Sequence, residues 1–367
     1  MTKPVSTAIR PTFDSGAVQQ VAIPVERVRV GQHELTVCDI QSDDLPAVVG
    51  LHTLVFGSQV DSSWFGWKYG QDSHQGRGQA VGAWCGDVLV AFCGGVPRTL
   101  DVHGQTSRAL QLADVMVHPM WRGILTRKGP FYYASSRFYR SRLGEVATHP
   151  FQLAFGFGSQ IHVRLAVKVG LGWDSGQMQM LHWQPLAAAP NMLGWAWRWE
   201  EVEYTDARLA HHVNCAWSVM RAQCQTMTLG HRDIDYVKWR YINRPFDAGG
   251  GARTQYRFFA LRRPWSRNAV GVAVMDSRAG TVQWLDWIGP VDLMPLVARA
   301  VRCEAGRVGA TGVSAWASPA VEACLAHTDV ARREVCAWLG MPQASAISPA
   351  AIPGLNWWLM GGDTDYL

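Results

Sequence analysis

The residues best equipped for chemistry lie between Asp114 and Gly129, in the run Asp-Val-Met-Val-His-Pro-Met-Trp-Arg-Gly-Ile-Leu-Thr-Arg-Lys-Gly. Asp114 and His118 bracket a short apolar stretch, and either side chain can take up or deliver a proton. Arg122, Gly123, Arg127, Lys128 and Gly129 then make a basic, glycine-bearing turn ahead of Pro130. Proline's fixed φ suits the first position of a helix. The free N–H groups at a helix start, together with the positive end of its dipole, attract an anion. Glycine lets the backbone approach that anion closely, and Arg or Lys neutralises it. The chemistry this implies is binding of a phosphate-bearing molecule beside a carboxylate and an imidazole.

A further candidate carboxylate is Asp363. Chain ends are normally frayed and polar, whereas this one carries Trp357-Trp358 and then Gly361-Gly362. Such a tail is expected to dock, to turn at the glycines, and to gather Asp363, Asp365 and the carboxylate of Leu367 where an ammonium group could be held. No metal is expected. The eight cysteines are scattered without a CxxC pair, and His211-His212 point to different sides of a helix.

These residues need a scaffold. Arg27–Val30 and Glu34–Cys38 read as strands, and Asp43 and Asp44 as caps before a helix carrying Leu45, Val48, Val49 and Leu51. Gln79–Cys85 and Val88–Gly94 flank Gly86-Asp87 as a tight hairpin. Ala109–Val117 is a strand ending at His118-Pro119. From Pro130 a helix buries Phe131, Ala134, Ser135, Phe138 and Arg142 and stops at Gly144. A strand over Phe151–Phe157 and a helix from Ser159 to Gly170 follow. Beyond a linker at Leu186–Pro190, the pattern predicts a helix over Ala207–Leu229. Strands then follow at Tyr256–Leu261, Val270–Asp276 and Thr281–Ile288, a helix over Asp292–Gly306, a strand over Val313–Ala317 and a helix over Ala320–Ala326. The alternation argues an α/β fold with a mixed central sheet and flanking helices, in two similar halves. The boundaries expected are an N-terminal extension over 1–26, a first domain over 27–185 and a second over 186–367.

Composition narrows the function. The chain has 367 residues, enough for about two domains. Hydrophobic residues make up 48% and charged residues 17%, which excludes a disordered tail protein. No apolar run reaches the roughly 18–20 residues of a membrane span, and no apolar signal core opens the chain, so it reads as cytoplasmic. The net charge of +5 is dispersed. That suits an anionic small molecule, and no nucleic-acid partner is expected. A homodimer is allowed. Eighteen tryptophans exceed what a core needs, so part of the set is expected to line a groove between the halves.

The strand, Arg-Gly turn and helix from Asp114 onward resemble the acetyl-CoA-binding segment of the GNAT N-acyltransferase superfamily. Phe155-Gly156-Phe157-Gly158-Ser159, with Arg164 to Trp173, resembles that family's later strand and helix. The resemblance covers roughly Arg27 to Trp183. It implies a GNAT-like fold, with two tandem lobes of which the second lacks the phosphate loop. It also implies acetyl-CoA or another acyl-CoA as co-substrate, held by Val115, Met116, Val117, Arg122, Gly123, Arg127, Lys128 and Gly129. Asp114, His118 and Asp363 are then the catalytic candidates. The implied activity is transfer of an acyl group to the amine of a small molecule, such as an amino sugar or a natural-product intermediate. Two departures stand out: Leu125 replaces a usual glycine, and Ala166 stands where many members carry a Tyr that protonates the thiolate. Asp235–Tyr241, with Pro245, resembles a segment of two-lobed GNAT-like and Fem-type aminoacyltransferases. A Fem-like aminoacyltransferase and a non-catalytic GNAT-fold binding module are therefore the alternatives.

Overall fold

Tight turns organise the first half. In the computed structural model, which describes residues 25–57, 60–69, 79–123, 128–187, 193–245 and 256–364, Glu26–Val30 (β1) pairs antiparallel with His33–Asp39 (β2). A 3-10 turn over Ser42–Asp44 leads into the helix Leu45–Phe56 (α1). Asp44 does not cap that helix as expected. Its carboxylate accepts the Gln41 N–H instead (2.8 Å). Ser62–Tyr69 (α2) follows, started by Asp61, whose Oδ1 accepts the Trp64 N–H (2.9 Å). Gln79–Cys85 (β3) and Val88–Val102 (β4) form the expected hairpin, with Gly86 at φ +57 supplying the left-handed turn conformation. Gln105–Val117 (β5) pairs back along β4. Pro130–Arg142 (α3) starts at its proline and buries Ala134, Ser135, Phe138 and Arg142. Leu153–Gly158 (β6), Gln160–Lys168 (α4) and Gly172–Trp183 (β7) complete this half.

The second half repeats the plan. It runs Arg198–Val202 (β8), Arg208–Gln223 (α5), Thr228–Gly230 (β9), Ile234–Val237 (α6, continuing as a π turn over Lys238–Ile242), Arg257–Arg262 (β10), Ala269–Arg278 (β11) and Thr281–Ile288 (β12). Met294–Arg307 (α7), Gly312–Ala317 (β13), Pro319–Cys324 (α8), Arg332–Pro342 (β14) and Trp357–Trp358 (β15) follow. The helix expected to reach Leu229 ends at Gln223, and Thr228–Gly230 is a strand instead. The linker expected at Leu186–Pro190 lies partly outside the described residues, as do residues 1–24.

One sheet joins both halves, in the order β1-β2-β3-β4-β5-β6-β14-β7-β13-β12-β11-β10-β8. The sheet runs unbroken past the boundary expected near Pro185. β14, from the second half, lies antiparallel between β6 and β7, and β7, from the first half, pairs in turn with β13. The halves therefore exchange strands. A second tie is the long β4–β5 hairpin, whose tip pairs through Leu100–Val102 with β9. Asp101, buried there, accepts from Arg221 Nε (2.5 Å) and Thr106 Oγ1 (2.8 Å) and lies 3.1 Å from His231 Nε2. Trp67 and Trp239 make a third. Their rings stack at 5.3 Å, and the Trp67 indole N–H donates to the Trp239 carbonyl (2.7 Å). Trp195 does not line a groove between the halves: it is 77% exposed and leans on Trp265. Among the described residues, no helix is long and apolar enough to cross a membrane.

Two predictions follow from these ties. A fragment ending at Pro185 lacks β14, so β6 and β7 present unpaired edges. Expressed alone it should aggregate, and a soluble, monodisperse fragment by light scattering would refute the strand exchange. For Asp101, burial pushes the pKa up, but the hydrogen bonds from His231, Arg221 and Thr106 outweigh it and hold the group well below the usual carboxylate range. A depressed folded pKa gives stability that is complete above the unfolded value of about 3.9 and is lost as pH falls through the folded one. Asp101→Asn should therefore cost on the order of 1–3 kcal/mol at pH 7, with the gap to wild type closing in thermal melts taken toward pH 2.

Candidate active site

The site begins at a break in the β4–β5 ladder. Phe92 pairs with Met116 and Gly94 with Ala113, leaving Asp114 and Val115 opposite Cys93 alone. In this bulge Asp114 takes φ +51, a left-handed conformation that a non-glycine residue adopts only where its surroundings hold it. What holds it comes from α2. Lys68 Nζ lies 2.9 Å from Asp114 Oδ1 and 2.8 Å from Oδ2, and Tyr69 Oη lies 2.8 Å from Oδ2. His52 Nε2, on α1, is 4.0 Å from Oδ1. The lysine and aspartate side chains are 2% and 7% exposed, so each charge depends on the other for the solvation it has lost.

Beside the bulge the sheet opens. β5 and β6 run parallel through four pairs, Ala109–Leu153 to Leu112–Gly156, and then separate. Ala113–Val117 on one strand and Phe157–Gly158 on the other share no backbone bonds, so the edge of β5 that carries Val115, Met116 and Val117 faces a gap. At its end His118 Nδ1 accepts the Met120 N–H (3.2 Å) and caps a 3-10 turn over Pro119–Trp121. Arg122 Nε donates to the Val117 carbonyl (2.9 Å). Gly123, at φ +86, has open space where a side chain would stand. Arg127 lies outside the described residues. Lys128 is exposed, with Nζ over the Tyr132 ring at 4.7 Å. Gly129 occupies the N-cap of α3 and has no side chain to satisfy the helix's first amides. Across the opening, Ser159 caps α4 and accepts the His162 N–H (3.4 Å). His162 is exposed over much of its surface, yet crowding of its ring and repulsion from Arg122 lower its pKa. Arg122 in the turn thus stands close enough to α4 for its charge to act on His162.

Asp363 is placed differently from expectation. It is fully buried, and its oxygens accept the Met360 N–H (2.9 Å), Arg98 Nη2 (3.3 Å) and Arg232 Nη2. Arg232 also donates to Asp286 Oδ1 (2.9 Å). Burial works against the Arg232 charge, but Asp286 and Asp363 raise its pKa above the ordinary arginine value. A carboxylate committed to two arginines and an amide fastens the tail, so the expected role as ammonium anchor is corrected. The tail does dock: β15 pairs with β9, and Trp357 and Trp358 are buried. Asp365 and Leu367 lie outside the described residues. Reading the sequence missed Lys68, Tyr69 and His52 around Asp114, and Arg98, Arg232 and Asp286 around the tail. A lysine inside the aromatic run Trp64–Tyr69, and an aspartate between Trp284 and Trp287 in an apolar strand, were the available signals.

Residues 36–166 match the family profile described as the acetyltransferase (GNAT) domain. Over those residues the chain carries a GNAT-type domain. No curated protein sequence matches it. Among solved structures it resembles an Enterococcus faecalis protein of unknown function described as a probable N-acyltransferase (12% identity, TM-score 0.59, 85% of this chain and 73% of that one). It also resembles a GCN5-related N-acetyltransferase from Kribbella flavida (14%, 0.58, 85% and 72%). The Saccharomyces cerevisiae N-myristoyltransferase with bound myristoyl-CoA matches across both halves (10%, 0.52, 86% and 84%). At these identities the likeness is one of fold, and it extends the GNAT architecture through the second lobe.

Lys68→Met should leave the Asp114 charge buried without its lysine and cost about 3–5 kcal/mol. Lys68→Met with Asp114→Asn should recover much of that loss. Urea unfolding of the two variants checks the pairing, and additive losses would refute it.

Proposed function

We propose that this chain is an acyl-CoA-dependent N-acyltransferase that acylates the amine of a small molecule, with acetyl-CoA as the simplest donor. The observation that carries the reading is the opening of the β5–β6 ladder directly beside the basic turn that leads into α3. An extended thioester arm fits such an opening because the β5 edge offers backbone groups that no neighbouring strand uses. The residues present suit the rest of the donor. Gly123 leaves room for close approach, the first amides of α3 offer donors to phosphate oxygens, and Arg122, Arg127 and Lys128 supply positive charge.

In the reaction the amine nitrogen attacks the thioester carbonyl. A C–N bond forms, the C–S bond breaks, the thiolate departs, and the amine's proton passes to a base. Backbone N–H groups of the β5 edge can stabilise the oxyanion. Asp114, paired with Lys68 in the bulge, is our candidate for holding the amine or accepting its proton. His118 spends Nδ1 on the Met120 amide and has a positioning role in shaping the turn. Ala166 cannot protonate the thiolate, so that proton comes from another group or from water. The similar yeast N-myristoyltransferase structure holds myristoyl-CoA, which supports an acyl-CoA donor here. The acceptor is expected to enter between the lobes, where Trp67 and Trp239 stack.

Charge reversal at Arg122 and Lys128 together should weaken CoA binding at least tenfold, since each phosphate contact is a charge-assisted bond of about 1.5–3 kcal/mol. Calorimetry with CoA measures this, and an unchanged affinity would refute the assignment. Acyl-CoA-dependent thiol release across an amine panel tests the transfer itself.

A further inference from the structure

The second lobe contains its own version of the opening. β12 and β13 run parallel through three pairs, Thr281–Gly312 to Gln283–Ser314, and then separate, as β5 and β6 do. β12 also carries a bulge, with Leu285 set between the pairs Val274–Asp286 and Met275–Trp284. Each strand ends in an x-Pro step, His118-Pro119 or Gly289-Pro290, followed by a 3-10 turn. The difference lies in the link to the next helix. From Gly289 to Leu293 it is short, holds no Arg or Lys, and carries Asp292, so it has no means of neutralising phosphate.

This second opening is filled by the chain's own tail. Ser318, just after β13, donates its N–H to the Leu359 carbonyl (3.0 Å), while its Oγ accepts the Leu359 N–H (3.0 Å) and donates to the Trp357 carbonyl (2.5 Å). Met360 bridges to Ala317, and the turn Gly361–Asp363 packs on both β12 and β13. The tail's carbonyls are gripped as those of a bound peptide would be. Gly362 O accepts from Tyr236 Oη (2.8 Å) and Arg240 Nε (3.0 Å), and Thr364 O accepts from Arg240 Nη2 (2.9 Å). Any side chain at 362 would collide with Tyr241 Oη and Asp286 Oδ2. Only glycine fits.

We propose that Leu359–Thr364 is a built-in ligand of the second lobe, occupying the opening whose counterpart in the first lobe receives the thioester arm. The chain then takes one acyl-CoA, and the second lobe serves to present the tail to the first. Thr364 already lines a cavity of about 10 Å3, room for roughly one water, together with Lys68 and Ala113 of the first-lobe bulge. The comparison with the thioester arm rests on the function proposed above; the seating of the tail does not.

The test is hydrogen exchange on the full-length chain and its Gly362→Val variant. In wild type, amides of Trp284–Ile288 and Ala315–Ala317 should exchange slowly. The variant should speed them, and those of Leu359–Thr364, at least tenfold while leaving Leu153–Gly158 unchanged. Equal protection in both proteins would overturn the proposal. Should Gly362→Val not fold, Arg240→Met removes the Arg240 contacts to the Gly362 and Thr364 carbonyls and is read in the same way. Native mass spectrometry with acetyl-CoA should show one molecule per chain, and two would also overturn the proposal. If no CoA binds while the exchange result holds, the proposed activity fails and the tail's seating stands.

Discussion

Everything in this molecule depends on the requirement that buried backbone groups find partners. β6 and β7 are consecutive strands, yet they never pair with each other. β14 supplies the missing ladder on both sides, and it arrives from the far end of the chain. Because a central strand of one lobe belongs to the other, neither half can close its sheet alone. The same device leaves β7 free to pair with β13 and carry the sheet onward. The opening beside β5 is then held between parts that cannot drift apart.

Charge does at the junction what backbone bonding does in the sheet. Arg98, Arg232, Asp286 and Asp363 are all buried, and each is costly unless the others stay in place. The network therefore discriminates more than it stabilises. It tolerates one position of the tail and penalises others, since moving Asp363 takes a carboxylate from both Arg98 and Arg232 and leaves Arg232 with Asp286 alone. Lys68 and Asp114 apply the same logic to the bulge in the first lobe, where α2 fixes a strained backbone by ion pairing.

Two lobes of one architecture thus meet different fates. Both open their parallel strand pair after a few residues, and both place a proline and a 3-10 turn at the strand end. The first then lengthens its link to the helix and loads it with Arg, Lys and Gly; the second keeps the link short and acidic. Where phosphate cannot be neutralised, the gap still has to be filled, because an opened ladder exposes polar backbone in an apolar interior. The tail fills it.

Much of the first lobe was legible in the sequence because its signals are local. The Gly86-Asp87 turn, Pro130 at the start of α3, Ser159 at the start of α4 and the apolar stripe of Phe138 need no knowledge of distant residues. The basic turn after Asp114 was visible for the same reason. β7 and β14 were not. β7 is irregularly buried, and β14 starts exposed at Arg332–Val335 and then buries Ala337, Leu339 and Met341 between Cys336, Trp338 and Gly340, so no apolar–polar alternation stands out in either sequence. Tertiary structure also decided the roles of acidic residues. Asp114 and Asp363 are equally acidic on paper, but one stands in a bulge beside the opening and the other between two arginines. A carboxylate's function is set by the charges around it, and Lys68, Arg98 and Arg232 come from parts of the chain that only the fold brings near.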